Sequence, residues 1–547
     1  MSRRHPTTSH LTVKRGWLVV FNGVACALLG ACDGGQLAAS GAGGAAGAGS
    51  AAAGTGGAAG AARGTGGAAG TTSAAAGTGG AAGTGGVAGL AGAAGTGGAA
   101  GGGGGSGGAP ASGWSTPWTV NDGVAQGRIP VVAVSGTGDA FIAFEGPDGS
   151  WVQRYRKASD TLDAPTRVDA PNGNVLIAAD DAGGALLIAQ RHQDYRIIAR
   201  RFAAGSAWPG GWGAAHELQA PEGGEGTDRT IVTHELSDLA MTGSGHAVVA
   251  WNRWDSDAVP EETETYLSVY DAGRGWDAAR RFSASGAASE RARCAIADST
   301  QSLKIFAAMS VFNAARQATD VWVNDMTYDR MTGAGVVGAP RLLLTGDHWG
   351  FPEAVVADPA GNFYAAIFQR APSGAWGRGV VVPEVGDTWS SPIPLSADSD
   401  GDELTLSIGR NGDAIATWTE CPLPLCSVRA RRFVGGTWGP EIDLSQATAN
   451  RASLCRAAVD GTGRIVAAWI EADKVSTQVV VRTRELDPVA GWTAPHSIAA
   501  VSSTVETIES LSVASGPNGT GVAVWGIANL ASVASPGRRV QAAVFRD

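Results

Sequence analysis

Residues 457–499 read AAVDGTGRIVAAWIEADKVSTQVVVRTRELDPVAGWTAPHSIA, and this stretch decides the fold. A short apolar run meets an Asp-x-x-Gly turn at Asp460 and Gly463. A second apolar run follows and ends in Trp469. After a polar loop come a third strand-like run and a Gly-Trp-x-x-Pro segment that begins at Gly491. Runs this short, bounded by Gly, Asp and Pro and lacking a 3.6-residue period, read as β-strands. Both faces of each run are apolar, as expected of a small sheet sandwiched between two others.

Most of the chain from residue 113 onward repeats this unit. Its turn glycine recurs as Gly138, Gly183, Gly245, Gly361, Gly412, Gly463 and Gly519, with Gln301 in a degenerate fourth copy. The anchors are 45 to 62 residues apart, a spacing that suits four-stranded propeller blades. Third strands are expected over residues 151–156, 196–202, 266–270, 321–328, 380–382, 428–433, 479–484 and 540–545. Fourth strands are expected near Trp212, Trp276, Trp389, Trp438 and Trp492, with Pro165 and Pro340 marking the two copies without the Trp. The eighth copy ends without a fourth strand, while a spare one, GWSTPWTV at residues 113–120, precedes the first. Pairing the two would close the ring and remove its exposed edges. The expectation is therefore an all-β, eight-bladed propeller over residues 113–547, closed by an N-terminal strand. Seven blades are the alternative, because the fourth copy is weak.

The N-terminal part has a different composition. Arg3, Arg4, Lys14 and Arg15 precede an apolar stretch at residues 17–31, WLVVFNGVACALLGA, the pattern of a secretory signal. Residues 32–112 are mostly Gly, Ala, Thr and Ser, with almost no large side chains to bury against the entropy of ordering. A coil of about 80 such residues has a root-mean-square span of roughly 50 Å. Three segments follow: a signal peptide at 1–31, a disordered tether at 32–112 and the propeller. The net charge of −10 and the lack of a basic run argue against a nucleic-acid partner. The expected protomer is a monomer.

In a propeller, the loops joining second to third strands and the loops entering each blade share one face, and loops carry function more often than their scaffold. The longer insertions fall there, at residues 213–237, 252–265, 346–353 and 396–403. They and their neighbours nominate Arg128, Arg191, His192, Trp254, Asp255, His348, Trp349, Glu420 and Arg451 as a mixed polar and aromatic rim for a carbohydrate or protein partner. Trp251, Trp418, Trp469 and Trp525 all lie six residues after an anchor glycine, which marks them as repeated packing residues. Cys421 and Cys426 are spaced to close a small disulfide loop. Cys455 enters the next blade on the same face, so it offers a pairing with either of them, and Cys294–Cys455 is a further alternative. No cysteine or histidine spacing suggests a metal site, and no cofactor motif is present.

Leu29-Gly30-Ala31-Cys32 resembles the lipobox of bacterial lipoproteins, which implies lipidation of Cys32 and anchorage to a membrane of the cell envelope, the outer membrane or cell surface rather than the inner membrane. The Gly-rich segment resembles the spacers of surface lipoproteins. Arg128-Ile129-Pro130 followed by VVAVSGTGDAFIAFEG resembles the start of the sialidase catalytic domain, where the arginine grips a sugar carboxylate. Gly386-Asp387-Thr388-Trp389 and Gly435-Gly436-Thr437-Trp438 look like the tail of that family's Asp-box repeat. The Ser and Asp positions of the box hold Val382 and Glu384 in one copy and Arg431 and Phe433 in the other. A sialidase has six blades, and no late Arg–Tyr pair can be matched. The resemblance implies a shared scaffold and, at Arg128, a carboxylate ligand. Together these readings point to a lipid-anchored, non-catalytic binding propeller. The alternatives are a sialidase-like glycan hydrolase and a structural component of an envelope complex.

Overall fold

The computed structural model describes residues 113–546 apart from the segments 170–172, 192–194, 219–231, 256–261, 285–288, 314, 317, 346–348, 371–376, 398–400, 422–424, 447–449, 474–475 and 531–536. Residues 1–112, and with them the signal, Cys32 and the tether, lie outside the described residues.

Eight antiparallel sheets follow one another along the chain. Their innermost strands are Arg128–Val134, Val175–Ala179, Val232–Met241, Ser289–Asp298, Trp349–Ala357, Gly401–Ile408, Arg451–Val459 and Glu506–Ser515. Each packs on the innermost strand of the next blade, and the first packs on the last, so the ring closes with eight blades. The weak fourth copy forms a full blade whose second and third strands, Ser302–Asn313 and Ala318–Asp329, are the longest of all. Its turn manages without the anchor glycine. In the other seven copies that glycine has φ between 83° and 91°, a conformation that a Cβ disfavours.

Ring closure follows the expected pairing. Trp118–Thr119 pairs antiparallel with the last strand, Arg538–Phe545, and Trp114 bridges Phe545. Val120 N–H donates to the Val540 carbonyl (2.8 Å), and the Asn121 side chain accepts from Val540 N–H (2.8 Å). Trp114 is buried, its indole N–H donates to the Glu485 carboxylate of blade seven, and its ring lies 5.6 Å from that of Phe545. The N-terminal strand thus completes blade eight and also grips blade seven.

The core is distributed between blades. Trp251, Trp418, Trp469 and Trp525 are all buried, each in an apolar cluster that joins two adjacent sheets. The fourth-strand tryptophans sit further out, packed against the third strand: Trp276 lies against Tyr270, Trp438 against Phe433 and Trp212 against Phe202. The innermost strands leave one row of backbone donors facing the axis, and side chains of the preceding blade cap some of them. Asp238 Oδ2 accepts from Cys294 N–H (2.8 Å), Ser407 Oγ from Val459 N–H (3.3 Å) and Ser512 Oγ from Val132 N–H (3.3 Å). Capping of this kind satisfies edge groups that would otherwise template another chain.

Cys421 and Cys426 form the expected disulfide. The other pairings are not made: Cys294 and Cys455 are free and buried. Each points into its own inter-blade core, Cys294 among Val248, Leu267 and Ile305 and Cys455 among Ile415, Val428 and Trp469, so neither thiol can reach a partner. All four of the presumed loop insertions also prove to be partly strand. Residues 252–255 extend the ladder of blade three, with Trp254 opposite both Thr233 and Thr263, and Trp349 begins the innermost strand of blade five.

Candidate functional site

The antiparallel registers define two edges of the ring. Arg128 lies opposite Glu145, Trp349 opposite Arg370, Gly401 opposite Glu420 and Arg451 opposite Ala472. The starts of the innermost strands and the ends of the second strands therefore share one edge, here called upper. The glycine hairpins form the lower edge.

At the lower edge the hairpin tips converge on the axis. Gly136 N–H donates to the Asp180 carbonyl (3.0 Å) and Asp181 N–H to the Gly243 carbonyl (2.9 Å), linking blades one, two and three. The Arg410 guanidinium of blade six makes a two-pronged ion pair with Asp181 of blade two. Blades two and six are half a ring apart, so this pair spans the axis. Gly243 packs beneath it, where a Cβ would come within 2.7 Å of the guanidinium. Burial lowers the Arg410 pKa from its usual value, yet the group stays charged at any ordinary pH. The strut crosses the lower mouth.

The upper mouth is framed by β-bulges. In seven blades the innermost strand slips register near its start, and Ile129, Arg291, Glu403 and Leu454 adopt positive φ there. An extra residue at a bulge re-aims the side chains on either side of it. Around blades three to five these side chains are chemically dense. Glu235 on blade three faces Glu290, Arg291 and Arg293 of blade four. Its carboxyl pKa is raised, first by desolvation and then by the Glu290 charge, with the two arginines opposing. Arg293 ties three blades together, donating to the carbonyls of Glu353 (3.0 Å), Ser237 (3.2 Å) and Ala292 (3.1 Å). The half-buried Asp238 carboxyl nearby is also pushed up by desolvation.

Aromatic surface adjoins this cluster. The Arg291 guanidinium lies 4.5 Å over the Phe351 ring, and Phe351 meets Trp349 edge-on at 6.4 Å. Trp254 (38% exposed), Phe312 (47%) and Trp349 (42%) are solvent-accessible on the same upper edge. Exposed aromatic faces beside hydrogen-bonding groups can stack on sugar rings or anchor a protein side chain.

The structure places Arg128, Arg191, Trp254, Trp349, Glu420 and Arg451 on the upper edge, as the sequence suggested, but distributes them over six blades. His192 and His348 and the side chain of Asp255 lie outside the described residues. Arg128 pairs with the buried Glu145 (2.7 Å) and Arg191 lies 3.8 Å from Asp169. Glu420 pairs with Arg429 (3.0 Å), which Glu441 and Asp443 share. Trp254, Trp349 and Arg451 are the ones that offer exposed surface. Sequence reasoning missed Glu235, Arg293 and Arg370. Arg370 had a readable signal, since it lies nine residues after its anchor Gly361, the place Trp254 occupies after Gly245.

No protein-family model matches the chain, and no curated relative does. Solved structures match it remotely. A polysaccharide lyase, an ulvan lyase bound to a GlcA(1-4)Rha3S unit, is 11% identical, with 68% of this chain and 93% of that chain covered and a TM-score of 0.38. The NanB sialidase of Streptococcus pneumoniae is 10% identical over 74% of this chain and 90% of that one, with a TM-score of 0.33. The Dos1 propeller is 8% identical over 79% and 95%, with a TM-score of 0.42. These likenesses are of scaffold only.

Proposed function

We propose that this chain is an envelope-anchored binding propeller that holds a polysaccharide or protein partner on its upper edge. Lipid on Cys32 would fix it to the membrane, and residues 33–112 would serve as the leash. The observation that carries the reading is the exposed aromatic trio Trp254, Phe312 and Trp349 beside a bulge-framed mouth whose opposite end is crossed by Arg410 and Asp181. Such a surface offers apolar stacking faces next to ordered charges, the composition of a recognition site. The test is a glycan array and a pull-down with the purified chain, repeated with the W254A/W349A variant. Binding that falls at least tenfold in the variant, with its melting temperature unchanged, supports the reading. Binding that is undiminished moves the site elsewhere.

A second reading, a glycan-processing hydrolase, is favoured by one observation. Glu235 and Glu290 bring two carboxyl groups of adjacent blades together at the mouth, the residue pairing that glycoside hydrolysis uses, and desolvation moves the Glu235 pKa upward. Turnover of a fluorogenic glycoside that disappears in E235Q would establish that reading and displace the non-catalytic one.

A further inference from the structure

Arginine and lysine side chains in this propeller are almost all committed. Among the described residues, every one but two makes an ion pair or donates a hydrogen bond. The two exceptions, Arg370 and Arg451, are both exposed and have no such partner among the described residues. Random scatter would put them anywhere on the ring. Instead, both stand on the upper edge, Arg370 at the end of the second strand of blade five and Arg451 at the start of blade seven.

Their surroundings are specific. Arg370 is the register partner of the exposed Trp349, so a guanidinium and an indole face stand side by side on one ladder rung. Arg451 is held by backbone: its strand bridges Cys426 across the blade boundary, and Ala452 N–H donates to the Cys426 carbonyl (3.0 Å). The Cys421–Cys426 disulfide rigidifies that neighbour. Between the two arginines, the blade-six carboxylate Glu420 pairs with Arg429 at 3.0 Å, and the same guanidinium also lies 3.7 Å from Glu441 and 3.5 Å from Asp443. In a chain with net charge −10, these two exposed cations, one on each side of blade six, have no ion-pair partner among the described residues and so stand apart from the paired charges around them.

We infer that the upper edge over blades five to seven binds an anionic polysaccharide, with Arg370 and Arg451 taking acidic groups at separate points along one polymer chain and Trp349 stacking on a sugar ring beside Arg370. The inference rests on the binding role proposed above and narrows its ligand. Guanidinium groups suit carboxylate and sulfate alike, because the planar fork matches either oxyanion. Neither arginine has an ion pair among the described residues to break first.

The experiment uses the full-length chain and four probes: polygalacturonate and dextran sulfate as carboxylated and sulfated polymers, and dextran and neutral galactan as uncharged controls. Affinity is measured for the wild type, R370Q, R451Q, the double variant and R370K/R451K, each at two salt concentrations. Expected is binding of at least one acidic polymer with no more than a tenth of that affinity for the neutral ones. Each Gln variant should weaken binding about threefold to tenfold, and the double variant should flatten the salt dependence. The Lys double variant should keep the salt dependence and lose part of the affinity. The preference between polygalacturonate and dextran sulfate identifies the oxyanion. Neutral polymers bound as well as acidic ones, or acidic binding indifferent to R370Q/R451Q, would overturn the inference while leaving a polysaccharide-binding role intact. Failure to bind any of the four, with capture of a protein partner instead, would overturn it together with the carbohydrate half of that role.

Discussion

His234 should make the propeller lose stability in mild acid, and the size of the loss can be worked from its surroundings. The residue lies on the innermost strand of blade three, opposite Arg253 and one position before Glu235. Its Nδ1 is enclosed without a hydrogen-bond partner among the described residues. Desolvation, and then the Arg253 charge, lower its pKa to about 4. In the unfolded chain an ordinary histidine titrates near 6.5. Between those values the unfolded chain binds a proton that the native state does not, so stability is full above about pH 6.5 and falls as pH drops toward 4. A gap of about 2.5 units, at about 1.36 kcal/mol per unit, amounts to roughly 3 kcal/mol, and less if water reaches the ring. The substitution H234Q removes the titrating group and leaves the backbone carbonyl, which accepts from Gln190, in place. Urea midpoints followed by tryptophan fluorescence at pH 7, 6, 5 and 4 give the comparison. The wild-type profile should fall away from that of H234Q by up to about 3 kcal/mol over this range. Parallel profiles, or a His234 resonance titrating near 6.5 in the native protein, would refute the reasoning.

Other consequences are open to direct measurement. W114A should destabilise the ring by about 3–5 kcal/mol, because it removes a buried indole that contacts both blade seven and blade eight, and denaturation would show it. Opening the Cys421–Cys426 bridge by C421S/C426S should cost about 2 kcal/mol at most, since the loop is so short, whereas Cys294 and Cys455 should resist alkylation until the protein unfolds. R410M should change the melting temperature little, because the strut is partly exposed, yet it should open the lower mouth to a bulky thiol reagent directed at a cysteine placed at Ala297 on the innermost strand of blade four. An unchanged labelling rate would show that Arg410 is not what obstructs that mouth.

Much of this fold is written locally. The anchor glycines stand where the backbone needs positive φ, the tryptophans six residues later stand where two sheets meet, and the spare strand at residues 113–120 matches the one missing from the eighth copy. Each of these depends on residues within one repeat or on counting repeats, so period and pattern suffice. The Cys421–Cys426 bridge was legible for the same reason, since a five-residue separation leaves few other partners.

What the sequence could not decide depends on how the ring brings distant repeats together. Nothing within a repeat tells Arg410 that Asp181, 229 positions away, will lie across the axis. Nothing tells Cys294 and Cys455 that they will be enclosed in separate cores. Whether an arginine is committed depends on which carboxylate an adjacent strand or blade presents at hydrogen-bonding distance. Arg128 looked available and is paired with Glu145, while Arg370 passed unnoticed and faces solvent beside Trp349. Repeat chemistry is set by short-range sterics and burial, so the sequence alone determined the architecture. The candidate site is set by which charges remain unpaired after the ring closes, and only the tertiary structure decided that.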